Sequence, residues 1–399
     1  MAKVILHIDL NAFFVRCEEL MDPSIIGKPV IIGHSGRAGI VSTCSYEARK
    51  YGIHSGMPTF KATQLCPDVL IIPGHYQLYS QKSREFINFV KRHSKIIEQA
   101  SIDECYVDLT DTLRKEKDPL TYIQNIKASL LKETGLMCSI GVAPTKFLAK
   151  MGSDYKKPMG ITVIHRKDIP TIIYPLPIES FFGIGKKTAP KLKAMGIVTI
   201  GDLAKRIEDD DLATKAEFGK FYYAIKDCLS GHSSDIVETE PWDPKSIGNS
   251  TTFKFNTSNF DEIKEYIRDL SKEVSDRCKE SNKIGSTVQL TLKDKDRKVI
   301  TRSKKLDKAT NDFQKIFSTA CDLLRVNLTG ESYRLAGVTL QNLIDPTEEV
   351  IQMSIFDNYD EIKEECAAKL LIGELNRKMK KPVFKTAADS LRDKKYGIK

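Results

Sequence analysis

Three carboxylates in two short segments could do chemistry together: Asp9 in VILHIDLNAFF and the Asp103-Glu104 pair in ASIDECYVDL. Each segment lies at the edge of a strand-like apolar run, residues 4–8 and 105–109, where an ionised carboxylate is costly unless something positive meets it. A strand-end cap and a solvated turn would account for either segment alone. On two adjacent strands, however, Asp9, Asp103 and Glu104 would converge within a few ångströms, and that many anions repel one another unless divalent cations bridge them. Oxygen ligands of this kind favour Mg²⁺. Two such ions, roughly 3.5–4 Å apart, would clamp the attacking and leaving oxygens of a phosphoryl transfer.

Cations suited to a phosphorylated substrate lie at three further places. In VSTCSYEARKYGIHSGMP, Tyr46 and Arg49 follow a strand at a spacing of three, so one helical turn faces both the same way. A guanidinium there can grip a phosphate with two hydrogen bonds while the phenol donates another. In SDYKKPMGI, Lys157 precedes Pro158, which favours an extended backbone and a fixed direction for the ammonium. In FFGIGKKTAPKLKAMGIVTIGDL, the Gly183-Ile184-Gly185 turn leads into a predicted helix carrying Lys186, Lys187, Lys191 and Lys193, and a second turn spans Gly196 to Gly201. Backbone N–H groups at such a helix start can meet a phosphate with no side chain in the way. This is the pattern of a helix-hairpin-helix, which reads nucleic-acid backbone rather than bases.

The elements that must position these residues follow from periodicity. A buried strand is predicted over 3–10 and a helix from 13 to 20, then short strands at 29–32 and 39–44 in a small insert rich in Gly and Pro. Helices are predicted at 78–97 and 120–132, with strands at 105–109 and 138–142, a mixed α/β core. From 169 to about 231 the texture is helical, and 232–245 reads as a linker. Beyond it the order is strand 250–255, helix 260–279, strands 286–292 and 299–303, helix 309–326 and strand 333–341, a βαββαβ unit able to fold as its own domain. The residues from about 347 are charged and lack a strand pattern.

A chain of 399 residues is too long for one ordinary core and suggests two to four domains. Its 41% hydrophobic and 29% charged content is that of a soluble globular protein. No run approaches the ~18 apolar residues of a membrane span, and the opening Met-Ala-Lys-Val lacks the layout of a signal peptide, so a cytoplasmic protein is expected. The nine cysteines have no pair closer than 22 residues, which argues for reduced core thiols rather than a metal or disulfide framework. The formal charge of +9 points weakly to a polyanionic partner.

HIDLNAFF, SYEARKYGIHSGMP, SIDECYVDLT, IGVAPTKFLAKMGSDYKKPMGI and GIGKKTAPKLKAMGI, in this order and spacing, resemble the Y-family translesion DNA polymerases of the bacterial polymerase IV type, over residues 3 to about 343. The resemblance implies a right hand: a ferredoxin-like palm at 1–10 and 78–166, small fingers at 11–77, a helix-hairpin-helix thumb at 167–232, a linker at 233–243, a little finger at 244–343 and a tail at 344–399. It makes Asp9, Asp103 and Glu104 metal carboxylates for two Mg²⁺ ions, with the Leu10 carbonyl as a further ligand. Tyr46, Arg49, Lys157 and Thr43 become triphosphate contacts. Phe14 becomes the steric gate against a ribose 2′-OH, and Phe13 packs nearby. Many relatives have Asp where this chain has Asn11, a departure that removes a charge beside the metal acids.

DNA contacts are implied at Gly183, Gly185, Lys186 and Lys187, and on the second domain at Arg297, Arg302 and Lys304. These last belong to KDKDRKVITRSKKLDK, with eight basic and three acidic residues, where each phosphate neutralised adds salt-dependent affinity. In the tail, Gln352-Met353-Ser354-Ile355-Phe356 resembles the peptide by which bacterial polymerases dock on the sliding clamp, with Gln352, Ile355 and Phe356 as anchors. The implied activity is error-prone, DNA-templated nucleotidyl transfer from dNTP to a primer 3′-OH, by a monomer without a proofreading nuclease. The rival readings are a catalytically silent, clamp-associated DNA-binding protein and a nucleotide cyclase on a similar palm.

Overall fold

The computed structural model describes residues 3–240 and 242–348 and, in the tail, residues 368, 371, 372, 375, 379 and 384. Gln352, Ile355 and Phe356 lie outside the described residues. The chain divides into two compact units, Met1–Pro241 and Trp242–Lys399.

The first unit is built on β1 (Ile5–Leu10), in which every residue is buried. Alternation sends Leu6, Ile8 and Leu10 into one core, shared with Phe13, Phe86, Ile126 and Leu130 of three helices, Phe13–Met21, Tyr76–Val90 and Pro119–Thr134. Ile5 packs instead with Phe147, Leu148 and Met151 of the Lys146–Tyr155 helix, so His7 and Asp9, two and four residues on, face that helix too.

A separate small sheet holds β2 (Val30–Ile32), β3 (Thr43–Cys44) and β4 (Leu70–Ile72) in the order β3-β2-β4. The large sheet adds β5 (Ile97–Gln99), β6 (Glu104–Asp108), β7 (Cys138–Ala143) and β8 (Ile161–Val163) in the order β5-β6-β1-β7-β8. β1 is antiparallel to both of its neighbours, pairing Asp9 with Glu104 on one side and with Ser139 on the other. Four short helices between Thr188 and Ser230 share a core with the Lys146–Tyr155 helix through Leu192, Leu203 and Tyr222. Residues 234–238 are tied to this unit: Lys146 N–H donates to the Ser234 carbonyl (3.1 Å) and Glu238 N–H to Glu98 Oε2 (2.8 Å).

The second unit has β9 (Ser246–Thr257), β10 (Ile284–Asp294), β11 (Val299–Thr310) and β12 (Tyr333–Ile344), antiparallel in the order β11-β10-β12-β9. Helices Phe260–Glu280 and Phe313–Asn327 complete the βαββαβ order and close a core around Ile267, Val288, Leu324 and Val338. No helix among the described residues is long and apolar enough to cross a membrane.

Four local expectations change. The strand predicted at 299–303 pairs on to Thr310, so the helix predicted from 309 begins at Phe313. The helix predicted to reach 97 stops at Val90, because Ile97 pairs with Val107 as edge strand β5 and Ser94 Oγ donates to the Asp108 carbonyl (2.8 Å). The strand predicted at 39–44 shrinks to Thr43–Cys44. The helix after Gly185 begins at Thr188, which leaves Lys186 and Lys187 on the turn instead of on the helix.

Candidate active site

The site forms where β1, β6 and the Lys146–Tyr155 helix meet. Its closeness depends on glycine: a Cβ on Gly141 of β7 would collide with the Ala149 carbonyl and the Ser153 amide, and Gly152 lies against Gly141. Backbone therefore touches backbone, and the helix brings Lys150, Ser153 and Asp154 over the carboxylates. Asp9 and Glu104 are direct cross-strand partners. Asp103, just before β6, accepts the Leu10 N–H at its carbonyl (2.9 Å), and Ser101 Oγ donates to its carboxylate (2.6 Å). Leu10 itself is buried in β1.

Lys150, only 9% exposed, donates to Asp9 Oδ2 (3.1 Å) and Glu104 Oε2 (2.8 Å). Lys157 Nζ lies 2.8 Å from Asp9 Oδ1 and 2.7 Å from Asp154 Oδ1. His7, fully buried, contacts Ser153 Oγ through Nδ1 (2.7 Å), and its Nε2 sits 3.3 Å from Glu104 Oε2 without hydrogen-bond geometry. The electrostatics split the acids. His7 and the Lys150 ammonium hold Glu104 well below the usual carboxylate range against the opposing effect of burial. Burial pushes Asp103 up, the Ser101 hydrogen bond opposes it, and the Asp9 and Glu104 charges add to the rise. Burial pulls Lys150 down, but the carboxylates around it outweigh that and keep it above the ordinary lysine value.

The donor set suits a divalent cation. One atom each from His7, Asp9 and Glu104 falls within 4.8 Å of the others, and carboxylate oxygens of this kind are the donors a divalent cation takes. Two lysines meanwhile neutralise carboxylates that would otherwise repel.

The one-turn helix Tyr46–Arg49 is capped by Ser45, whose Oγ accepts the Ala48 N–H (3.1 Å). The Arg49 guanidinium lies over the Tyr46 ring at 4.6 Å. Burial raises the Tyr46 phenol, and the charges of Arg49, Lys157, Asp9 and Asp154 all reach it. Thr43 lies on β3, opposite Ile32. Phe14 stacks on Tyr79 (centroids 4.2 Å, 11° between planes) and meets Tyr76 edge-on, with the buried Phe13 ring 5.6 Å away. Asn11, buried, uses both ends of its amide: Nδ2 donates to Ser139 Oγ (3.0 Å) and Oδ1 accepts the Met159 N–H (2.8 Å).

Gly183 (φ 104°) and Gly185 lie on an exposed turn with open space around them. Lys191 and Lys193 pair with Glu217 and Glu179, whereas Lys186 and Lys187 stay exposed with no ion pair among the described residues. On the second unit Arg297 occupies the β10–β11 turn, and Arg302 and Lys304 project from β11, the edge strand.

Family models match in the same order. The impB/mucB/samB family matches residues 8–154, its helix-hairpin-helix motif 166–197 and its C-terminal domain 244–355. The DNA polymerase IV of Bacillus velezensis is 36% identical over 94% of this chain and 90% of that protein. The chain belongs to the impB/mucB/samB family, the Y-family DNA polymerases. Among solved structures, a Y-family DNA polymerase chimera of Dbh and Dpo4 superposes with a TM-score of 0.77 at 28% identity, covering 86% of this chain and 99% of the chimera. An insertion ternary complex of Dbh DNA polymerase superposes at 0.57, with the same identity and coverage. The fold is therefore that of a Y-family polymerase with palm, thumb and little-finger domains. Sequence reasoning missed His7, Lys150, Ser153 and Asp154 as part of the site. The signal was there in part: Lys150 and Asp154 are spaced i, i+4 in the quoted motif, but only the packing on Gly141 aims them at β1.

Proposed function

We propose that the chain is a DNA-directed DNA polymerase of the translesion type, adding deoxynucleotides to a primer 3′ end opposite intact or damaged template bases. The observation that carries the reading is the pairing of Asp9 with Glu104, with Asp103 fastened to Leu10 beside them. Palm, fingers, thumb, linker, little finger and tail take the boundaries given above. Asp9, Asp103 and Glu104, with the Leu10 carbonyl, would hold two Mg²⁺ ions, which when bound supply charge stabilisation for the transferring phosphoryl group. Tyr46, Arg49, Lys157 and Thr43 hold the triphosphate, and Phe14, backed by Phe13, excludes the 2′-OH. Lys150 offsets the repulsion of Asp9 and Glu104 and so helps keep the acids gathered. Catalysis is then mostly positioning and charge neutralisation. Selection that rests mainly on base pairing discriminates weakly, so fidelity is low. Gly183, Gly185, Lys186, Lys187, Arg297, Arg302 and Lys304 grip primer-template DNA, and Gln352, Ile355 and Phe356 dock a sliding clamp onto a monomeric, cytoplasmic enzyme.

Primer extension with Mg²⁺ on a template with and without an abasic site tests this. The enzyme should extend both, and Asp103→Ala or Glu104→Ala should cost on the order of 10³-fold or more in rate while primer-template binding persists. A catalytically silent DNA-binding protein would bind and not extend. Near wild-type extension by either variant would overturn the site.

A further inference from the structure

The loop that carries Lys157 is fastened by two groups, Asn11 and Lys127, neither of which pairs with the acids of the site among the described residues. After the Lys146–Tyr155 helix the chain turns through 156–160 into β8. Met159 sits at φ 62°, a left-handed conformation costly for a side-chain-bearing residue and kept only where neighbours impose it. Here both sides of Met159 are held: its N–H donates to Asn11 Oδ1 (2.8 Å), and its carbonyl accepts from Lys127 Nζ (2.7 Å), reaching over from the Pro119–Thr134 helix. The next residue, Gly160, lies so close to the Lys156 carbonyl that a Cβ would collide with it, and its own carbonyl accepts the Ile140 N–H (2.9 Å). Asn11 is 1% exposed, is anchored through Ser139, and follows Asp9 by two residues. One short segment thus carries a carboxylate of the site and the anchor of the loop whose lysine reaches that carboxylate.

We infer that Asn11 and Lys127 are positioning residues that fix the 156–160 loop and hold the Lys157 ammonium where the incoming nucleotide's phosphates arrive. A lysine has four rotatable side-chain bonds, and freedom in its backbone as well would be lost on each binding event; a clamped loop has surrendered it in advance. Asn11 on this account acts through Met159 and not through metal, which gives the neutral residue at that position a role of its own. The inference rests on the assignment of Lys157 to the triphosphate.

The test is dNTP titration of the full-length enzyme on a primer-template ended with a dideoxynucleotide, which reads binding without chemistry, followed by single-turnover extension on an ordinary primer. Asn11→Ala and Lys127→Met should each weaken dNTP binding about 5–10-fold and change the rate at saturating dNTP far less, the split that loss of ground-state positioning gives. Asn11→Asp, which can still accept the Met159 N–H, should recover most of the affinity. Because the effect passes through Lys157, adding Asn11→Ala to Lys157→Met should weaken binding no further than Lys157→Met alone. Additive losses, unchanged affinity in both single variants, or a rise in the Mg²⁺ requirement with dNTP affinity intact would overturn the inference. If Lys157→Met itself leaves dNTP affinity unchanged, it is the triphosphate assignment that fails. Thermal unfolding of each variant separates loss of the clamp from loss of the fold, and Lys127→Met, at a half-buried helix position, keeps the test open if Asn11→Ala is unstable.

Discussion

At the scale of single residues, two side chains show how the site spends stability on function. Asp103 is held above its ordinary pKa by burial and by the Asp9 and Glu104 charges, against the Ser101 hydrogen bond. The fold therefore favours its protonated form, and its contribution is present at low pH and lost as pH rises through the raised value. Glu104 runs the other way: its contribution is present above the ordinary glutamate value and lost as pH falls through the depressed one. At neutral pH, Asp103→Asn should stabilise the metal-free protein by about 1 kcal/mol, the usual gain from relieving such a site, while abolishing extension. Calorimetry with and without Mg²⁺ checks it, and metal should raise the Tm of the wild type more than that of the variant. Phe14 is the second case. Its stacking partner Tyr79 is pinned from behind, because the Tyr79 hydroxyl donates to Glu18, a carboxylate 2% exposed that His75 Nδ1 also contacts (2.9 Å). A ring backed this firmly would discriminate by shape if, as proposed, Phe14 is the steric gate. Phe14→Ala should raise the ribo-to-deoxynucleotide incorporation ratio on the order of 10²-fold with little loss of deoxynucleotide insertion, and an unchanged ratio would place the gate elsewhere.

At the scale of elements, the decisive contact is the Lys146–Tyr155 helix on β7. Gly141 and Gly152 let it approach until backbones touch, which places Lys150 between Asp9 and Glu104. Gly141→Ala would push an extra methyl into the Ala149 carbonyl and Ser153 amide. Overpacking of that kind costs about 1–3 kcal/mol, and here the strain is relieved only by lifting the helix that carries Lys150 and Ser153. Chemical denaturation should show the destabilisation, and extension measured well below the unfolding midpoint should fall as well. Full activity with lowered stability would show that the acids do not depend on the helix. Legibility was uneven at this scale. The βαββαβ order of the second unit could be read because its amphipathic helices and strands each keep a clear period. Edge strand β5 could not, because Ile96 and Ile97 continue the helical pattern locally and only pairing with β6 makes them strand.

At the scale of the whole molecule, recruitment to DNA is separate from chemistry. Gln352, Ile355 and Phe356 lie beyond β12 of the second unit, in a charged stretch of sequence. Replacing all three with Ala should leave extension of a short primer-template unchanged without a clamp and remove the stimulation a loaded clamp provides. A clamp raises the local concentration of enzyme at the primer end and adds no contact to the transition state. A lower basal rate would mean the tail supports the fold or the DNA grip; undiminished stimulation would mean docking uses another surface.

The acidic segments around Asp9 and Asp103-Glu104, Tyr46 with the cationic Arg49 and Lys157 proposed for phosphate, the glycine turn at 183–185 and the element order of the second unit are all readable from contiguous sequence. Each of these is written in residue types at short spacing, and local periodicity is a property of contiguous chain. Tertiary packing sets Asp9 against Glu104 in register, brings His7 and Lys150 to the acidic centre and joins Asn11 to Met159 in the loop that carries Lys157. Those facts join residues as far apart as 11 and 159, and no local pattern encodes which of many buried polar groups will find which partner. The β1–β6 pairing sets Asp9 against Glu104, and the close packing of the Lys146–Tyr155 helix on Gly141 brings Lys150 and Ser153 to them and to His7.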